Sequence, residues 1–270
     1  MTTYIIGDVH GCYDGLARLL DRIEYQDGID QLIFLGDLVN RGPDTVKTIE
    51  LVLSLQQVQM VYGNHDLYAW HYLIQPNFFM HQKHRLSSLI EDQSLCQRWL
   101  DFLKKQQFIL HLQEKQVLLV HAGIWPEWTL AEALSHARRL GSQLNESEGK
   151  VLEDWFTDKA VLPLTDPMTD QFAFQVMTRM RFVNSDDALN LSFVGTPELA
   201  KSTIKPWWQS RSRWHNGTLK VFFGHWSALK ARSVTHHVHC LDGGYVWGGD
   251  LVAYALESEQ RFSVTNPEAT

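Results

Sequence analysis

The 270-residue sequence predicts an α/β fold. Short apolar runs alternate with segments whose apolar residues recur at helical spacing, and this unit occurs three times before residue 75. Polar residues follow each run after a glycine, which is typical of a buried strand that delivers side chains at its carboxyl end. Consecutive strand, loop and helix units indicate a sheet with crossover helices, in which ligands bind beyond the carboxyl ends of the strands.

The first three strands are predicted at 3–6, 31–35 and 58–62. Leu16, Leu19 and Leu20 repeat at helical spacing after the first strand. Asp44 is a candidate N-cap for the helix after the second strand, and an aromatic helix is predicted from Leu67 to about Ile74.

The rest of the chain predicts a cap on this core. The pattern is helical and polar from 75 to 112, and a fourth strand, at 117–120, ends in His121. A helix is predicted at 131–144 and an irregular, tryptophan-containing stretch runs to 216; strands return at 219–223, 234–241 and 250–255. We therefore predict one domain, 1–270, with helical cap segments within about 75–112 and 126–216.

Composition narrows the class of protein. The net charge of −7 argues against a general nucleic-acid or membrane surface, so neither DNA nor a membrane is expected as a partner. The N-terminus has no secretion-signal pattern and no apolar run reaches about 18 residues, which predicts a cytoplasmic protein. Cys12, Cys96 and Cys240 are too scattered for a disulfide framework or a cysteine-based zinc site.

Polar residues at the strand ends form a candidate metal centre. They offer oxygen and imidazole ligands without a thiolate, a set that suits Mn, Co, Fe or Zn. The set comprises Asp8, His10, Asp37, Asn64, His65, His121 and His225. The Asp-x-His spacing lets Asp8 and His10 reach one ion, and Asp37 is placed to bridge to a second ion. Two ions about 3.5 to 4 Å apart activate a water for in-line phosphoryl displacement.

Five motifs in this order resemble the calcineurin-like metallophosphoesterases of the serine/threonine phosphatase type. They are Gly7-Asp8-Val9-His10-Gly11, Gly36-Asp37-Leu38-Val39-Asn40-Arg41-Gly42, Gly63-Asn64-His65-Asp66, His121-Ala122-Gly123 and Gly224-His225. The resemblance implies a β-sandwich flanked by helices, with a helical cap insertion. It also implies a hydrolase with two divalent metal ions, expected to be Mn or Co, with Fe or Zn as alternatives.

Further motifs resemble the bacterial branch of that family that cleaves diadenosine tetraphosphate symmetrically into two ADP. They include Gly63-Asn64-His65-Asp66, Thr178-Arg179-Met180-Arg181-Phe182, Gly224-His225-Trp226 and Val246-Trp247-Gly248-Gly249. The branch implies a dinucleoside polyphosphate substrate and, as a second class, RNA with a nucleoside-tetraphosphate cap at its 5′ end. The oligomeric state is left open.

The family pattern assigns roles to these residues. It places Asp8, His10 and Asp37 on the first ion, and Asp37, Asn64, His121 and His225 on the second. His65 matches the histidine that protonates the leaving group, and Arg41 matches a phosphate-binding arginine. A second arginine comes from the cap, where Arg179 is favoured and Arg181 is the alternative. Asp66, also assigned to the catalytic set, either orients His65 or caps the next helix.

One position departs from the family pattern. Protein phosphatases of this family have an aspartate before the motif arginine, and Asn40 stands there in this chain. An amide orients an imidazole but does not stabilise imidazolium by charge, so His65 is expected to be a weaker general acid. We expect this to suit a good leaving group such as ADP better than a serine alkoxide.

Two other functions compete with this prediction. A serine/threonine phosphoprotein phosphatase would use the same metals and arginines. A non-catalytic nucleotide-binding protein would be expected to lack at least one of the metal-binding residues. Trp226 and Trp247, with Trp125, are candidates to stack on adenine. The remaining histidines are predicted to lie on the surface or the cap, namely His71, His81, His84, His111, His136 and His215, or on a solvated strand face, namely His236, His237 and His239.

Overall fold

A computed structural model describes residues 1–76, 85–156, 166–185, 188–210, 214 and 218–267. His81, His84 and His215 lie outside the described residues. No helix in the described ranges has the length and apolar character that a membrane span requires.

The first sheet contains the three predicted strand and helix units. Its parallel strands are β1 (Thr3–Ile6), β2 (Gln31–Phe34) and β3 (Val58–Met60). The helices that follow them are α1 (Tyr13–Arg22), α2 (Thr45–Ser54) and α3 (Asn64–Ile74). Helix α3 begins three residues before the predicted Leu67, so Asn64 and His65 lie in its first turn.

Antiparallel strands near the C-terminus extend this sheet. They are β11 (Asp242–Gly243), β12 (Asp250–Ala255) and β13 (Gln260–Thr265), with β12 paired to β1, β11 and β13. The prediction at 250–255 is confirmed. It missed β13 because Val264 is the one buried residue of that strand, which leaves no apolar run to detect.

The second sheet has the order β10-β9-β5-β4. Its strands are β4 (Ile109–Leu112), β5 (Val117–Val120), β9 (Lys220–Phe223) and β10 (Val238–Cys240). Strands β5, β9 and β10 are parallel, whereas β4 is antiparallel to β5. Strand β4 falls in the segment predicted to be helical, although α4 (Gln93–Leu103) in that segment is a helix. The half-buried β4 pairs with β5 across a turn in which Gln116 has a φ of 51°.

The two sheets pack face to face, which confirms the predicted sandwich. Alternate residues of β1 point to opposite sides: Ile5 joins the core between the sheets, whereas Tyr4 and Ile6 pack on the helix side. Strands β2, β5 and β9 alternate in the same way. The core between the sheets includes Ile33, Leu35, Val117, Leu119 and Phe222.

The cap is helical only in part. It contains α5 (Leu130–Glu146), α6 (Leu152–Phe156) and α7 (Asp170–Arg179). A small antiparallel sheet follows, built from β6 (Phe182–Asn184), β7 (Leu189–Asn190) and β8 (Ile204–Pro206). Strands of two or three residues show no periodicity, so the sequence predicted only the helical portion.

Candidate metal centre

The loops after β1 and β2 are joined by backbone hydrogen bonds. The N–H groups of Val9 and His10 both donate to the Asp37 carbonyl, at 3.1 and 2.8 Å. Gly11 N donates to the Leu38 carbonyl at 2.8 Å. The predicted ligands of these two loops are therefore held side by side at the carboxyl edge of the first sheet.

Asp37 stands between two imidazoles. Its Oδ2 lies 3.8 Å from His10 Nε2 and 3.5 Å from His121 Nε2, and Asp8 Oδ2 is 3.9 Å from His10 Nε2. These distances are too long for good hydrogen bonds. Ligands that each lie about 2.0 to 2.2 Å from one cation stand about 3 to 4 Å apart, so the spacing fits ligands that share an ion.

The second sheet contributes the other donors. His121 Nδ1 lies 2.7 Å from the Leu35 carbonyl, a contact that requires Nδ1 to donate. The lone pair of the neutral ring is then on Nε2, which lies 3.3 Å from Asn64 Oδ1. His225 belongs to a second potential metal-binding group, together with Asp37 and His121.

Charge in the site also fits divalent cations. Burial, together with the nearby carboxylates of Asp242 and Asp37, raises the pKa of Asp8 well above its ordinary value. Burial opposes ionisation of Asp37 too, but the imidazoles of His121 and His65 outweigh it and hold its pKa well below the ordinary range. Buried carboxylates that repel one another, with imidazole nitrogens beside them, form the donor set that a doubly charged ion stabilises.

The backbone brings these donors together at the cost of unusual conformations. His10, Asp37 and His225 have φ values of 53°, 51° and 62°, in the left-handed region that non-glycine residues rarely adopt. Close approach also depends on glycine, because a Cβ on Gly224 would lie 2.1 Å from Asp8 Oδ1 and one on Gly63 would lie 2.2 Å from Asp37 Oδ1.

His65 lies against Asn40, as the sequence predicted. Asn40 Nδ2 is 2.9 Å from His65 Nδ1, and both residues are buried. Burial lowers the pKa of His65 to about 3, against the opposing effect of Asp37, so the imidazole is neutral at physiological pH. His65 also lies within ligand distance of His10 and Asp37.

Asp66 joins two loops and does not contact His65 through its carboxylate. Oδ2 accepts hydrogen bonds from Asp37 N at 2.7 Å and Gly63 N at 3.2 Å, and Oδ1 accepts one from Leu38 N at 2.9 Å. The contact with Gly63 caps α3. Burial and the nearby carboxylate of Asp37 raise the pKa of Asp66 to about 7. Of the two predicted roles, capping is the one for which the structure shows contacts.

The three arginines differ in their surroundings. Arg41 is exposed, and its backbone N–H donates to Asn40 Oδ1 at 2.8 Å. Arg181 Nη2 donates to the His225 carbonyl at 2.8 Å, which gives Arg181 a structural contact to a ligand loop. Arg179 Nη1 lies 3.3 Å from Gln175 Oε1, and its carbonyl oxygen is 3.1 Å from His225 Nε2.

The tryptophan candidates separate by burial. Trp226 is 1% exposed; its ring packs against Phe182 and Trp208, and its Nε1 donates to the Gly195 carbonyl. Packing with the cap covers the ring, so burial argues against a contact of Trp226 with substrate, and the contact stays a prediction. Trp125 is buried as well, at 3%. Trp247 is 66% exposed and lies between β12 and β11, the strand that contains Asp242.

Several other histidines are not where the sequence placed them. His71 is fully buried and His136 is 2% exposed; the latter stacks on Trp128. His239 is 8% exposed and stacks on Phe222, so it does not lie on a solvated strand face. At these positions the histidine ring packs in the interior as an aromatic ring does. The spacing of residues in the sequence does not show whether a histidine is packed in this way or exposed to solvent.

Two residues near the centre escaped the sequence analysis. Asp242 is 3% exposed and influences the pKa of Asp8 more than any other neighbour. It follows an apolar strand, the signal that identified the other strand-end residues. Arg85 donates its backbone N–H to Asn40 Oδ1 at 3.0 Å, and no local pattern predicted this contact, which spans 45 residues.

Carboxylate, amide and imidazole donors converge around one shared aspartate, and arginines lie beside them. This arrangement defines a metal-dependent phosphoesterase centre. The chain belongs to the calcineurin-like phosphoesterase family, whose sequence pattern matches residues 1–226. This confirms the family predicted from the five motifs.

Relatives match the chain over almost its full length. It is 34% identical to a symmetrical bis(5′-nucleosyl)-tetraphosphatase of Legionella pneumophila, over 98% of this chain and 97% of the relative. It is 33% identical to the enzyme of the same name in Coxiella burnetii, over 97% and 91%. The predicted resemblance to the symmetrical tetraphosphatase branch is thereby confirmed.

Solved structures share the fold. A crystal structure assigned as a diadenosine tetraphosphatase superimposes with a TM-score of 0.67 at 21% identity, covering 99% of this chain and 94% of that chain. A serine/threonine phosphatase of Saccharomyces cerevisiae gives a TM-score of 0.54 at 13% identity, covering 98% and 79%.

Proposed function

We propose that the protein hydrolyses diadenosine tetraphosphate symmetrically into two ADP. The observation that carries the proposal is the pair of ligand groups that share Asp37, found in a chain whose full-length relatives bear the name of this activity. Related dinucleoside polyphosphates belong to the same substrate class. RNA with a nucleoside-tetraphosphate cap offers the same chain of phosphates and is a second proposed substrate.

We assign the cation ligands as the sequence analysis did. Asp8, His10 and Asp37 would hold one ion, and Asp37, Asn64, His121 and His225 the other. Oxygen and imidazole donors favour Mn or Co in our proposal, with Fe or Zn as alternatives. When bound, two divalent ions lower the pKa of water to give a nucleophile and neutralise charge on the phosphate under attack.

The chain's own residues bind and orient the substrate. Arg41 is exposed beside the ligand loops, so its guanidinium is available for a pair of phosphate oxygens. Arg179 is the proposed second phosphate ligand, as its position in the family motif implies, and Arg181, which donates to the His225 carbonyl, is the alternative. Trp247 is the proposed stacking surface for one adenine, since its ring is exposed.

Symmetric cleavage requires attack on an inner phosphate. The new P–O bond forms there, the anhydride bond to the other inner phosphate breaks, and the departing ADP oxygen takes the electron pair. His65 is positioned by Asn40 beside Asp37 and is the proposed donor to that oxygen. We place this activity in the cytoplasm.

Product chromatography tests the proposal. Purified protein with added Mn²⁺ or Co²⁺ is expected to convert diadenosine tetraphosphate into ADP alone, and a chelator is expected to abolish turnover. Release of ATP and AMP would contradict symmetric cleavage. Efficient release of phosphate from a phosphopeptide, without ADP formation from the dinucleotide, would favour the phosphoprotein phosphatase. Nucleotide binding without hydrolysis by metal-loaded protein would favour the non-catalytic alternative.

A further inference from the structure

The carboxamide of Asn40 has only one chemically consistent orientation. One of its terminal atoms lies 2.8 Å from the backbone nitrogen of Arg41 and 3.0 Å from that of Arg85. A backbone N–H can only donate, so this atom must be the oxygen and the other must be the NH2 group. The side chain is buried, and the backbone N–H of Asn40 is held by Thr45 Oγ1 at 3.1 Å, at the start of α2.

The NH2 group of Asn40 lies 2.9 Å from His65 Nδ1. An amide NH2 only donates, so Nδ1 must accept, and a neutral imidazole then carries its hydrogen on Nε2. We propose that Asn40 is a positioning residue that fixes His65 as the Nε2–H tautomer, which makes His65 a neutral hydrogen-bond donor to the leaving oxygen.

This tautomer removes His65 from the metal ligands. Proximity alone would group His65 with His10 and Asp37 around a cation. A ring nitrogen that carries a hydrogen has no lone pair to give, and the lone pair of Nδ1 is engaged by the amide. His65 therefore faces the reaction through an N–H group.

The consequence for substrate choice rests on the proposed function. As the P–O anhydride bond breaks, its electron pair moves to the leaving diphosphate oxygen. The hydrogen stays on His65 Nε2, which donates a hydrogen bond to that oxygen. Full transfer would leave an anionic imidazolate, which a buried site disfavours. The arrangement therefore selects leaving groups that are stable as anions, such as a nucleoside diphosphate, over the alkoxide of a serine.

The tautomer is measured directly by 15N NMR. Protein with 15N-labelled histidine is loaded with diamagnetic Zn²⁺, and His65 is assigned by the signal that His65→Gln removes. Protonated and bare ring nitrogens differ in 15N shift and in their couplings to the ring hydrogens, so the two tautomers give distinct spectra. We expect a bare Nδ1 and a protonated Nε2. A protonated Nδ1 would overturn the proposal, whether or not the protein cleaves the dinucleotide.

Asn40→Asp supplies the matched variant. A carboxylate still accepts the N–H groups of Arg41 and Arg85, but it also accepts from His65, so the hydrogen is expected to move to Nδ1. An unchanged His65 spectrum in this variant would show that Asn40 does not fix the tautomer. Because this readout needs no turnover, a bare Nδ1 in a protein that fails to cleave diadenosine tetraphosphate would sustain the tautomer and reject the proposed function.

Kinetics distinguish a neutral donor from an acid. The side-chain amide of His65→Gln retains an N–H donor near the position of Nε2, whereas His65→Ala retains none. We expect His65→Gln to keep kcat within about tenfold of wild type with diadenosine tetraphosphate, and His65→Ala to lose about 100-fold, the usual effect of one donor to developing negative charge. Equal losses in both variants, at equal metal content, would mean that proton transfer is required and would overturn the neutral donor.

Discussion

Asp66→Asn distinguishes a structural role of Asp66 from a chemical one. The carboxylate accepts backbone hydrogen bonds with both oxygens, from the loop after β2 and from the start of α3. Asparagine keeps one oxygen, so the other side of its amide presents N–H to a backbone N–H. The buried site offers that backbone donor no replacement by bulk water, because Asp66 is fully buried.

The size of the effect follows from these three bonds. One buried donor without its acceptor costs about 1 to 3 kcal/mol. The other two bonds are kept, and because the pKa of Asp66 is raised to about 7, the lost charge of the acceptor adds little near neutral pH. We expect the free energy of unfolding of the metal-free protein to fall by about 1 to 3 kcal/mol at pH 7. Because Asp66 holds the backbone of Asp37, metal affinity is expected to fall about 10- to 100-fold.

Urea unfolding of chelated protein measures the first quantity, and titration with Mn²⁺ measures the second. Asp92→Asn is the matched control, since Asp92 caps α4 by accepting from Leu95 N at 2.9 Å and lies on the surface. Asparagine caps a helix as well as aspartate does, so we expect almost no change in either measurement. A loss of kcat at saturating metal, with stability and metal affinity intact, would refute our reasoning and place Asp66 in the chemistry.

Two further predictions concern residues at other positions. Trp247→Ala is expected to raise KM for diadenosine tetraphosphate about tenfold with kcat little changed, because one stacked base is worth about 1 to 3 kcal/mol; Ile29→Ala, which also removes an exposed apolar side chain, is the control, and equal effects in both would exclude stacking. Burial and nearby cations lower the pKa of His239 to about 4. The folded state therefore resists protonation below the unfolded pKa of 6.5, and the free energy of unfolding is expected to fall by about 2 kcal/mol between pH 6.5 and 4. Urea unfolding of His239→Leu across this range should show a smaller loss than wild type, and parallel losses would contradict this origin.

Most of the metal centre was predictable because its donors follow apolar strands. Asp8 and Asp37 each come one glycine after a short buried run, and His121 comes directly after one, a local signal that needs no knowledge of the fold. The same signal is present before Asp242, which lies one residue beyond the strand predicted at 234–241, but the sequence analysis did not use it.

What the sequence did not predict depends on packing between distant segments. The three partners of the Asp66 carboxylate include two residues more than 25 positions earlier in the chain. Trp226 and Trp247 are the same residue type near the same site, yet the cap covers one and leaves the other exposed. Strand β4 is an edge strand whose pairing with β5 overrides the helical pattern of its neighbours.

Because the proposed ligands of the second ion come from both sheets, that ion would be held only by a chain that extends at least to His225. Asn64 follows a strand of the first sheet, whereas His225 lies more than 150 residues later, after β9 of the second sheet. During synthesis the early ligands emerge long before their partner, so an incomplete chain offers this cation too few donors. Metal binding would thus indicate that β9 has taken its place in the second sheet. The binding energy of the metal would stabilise only the folded chain that contains all of these donors.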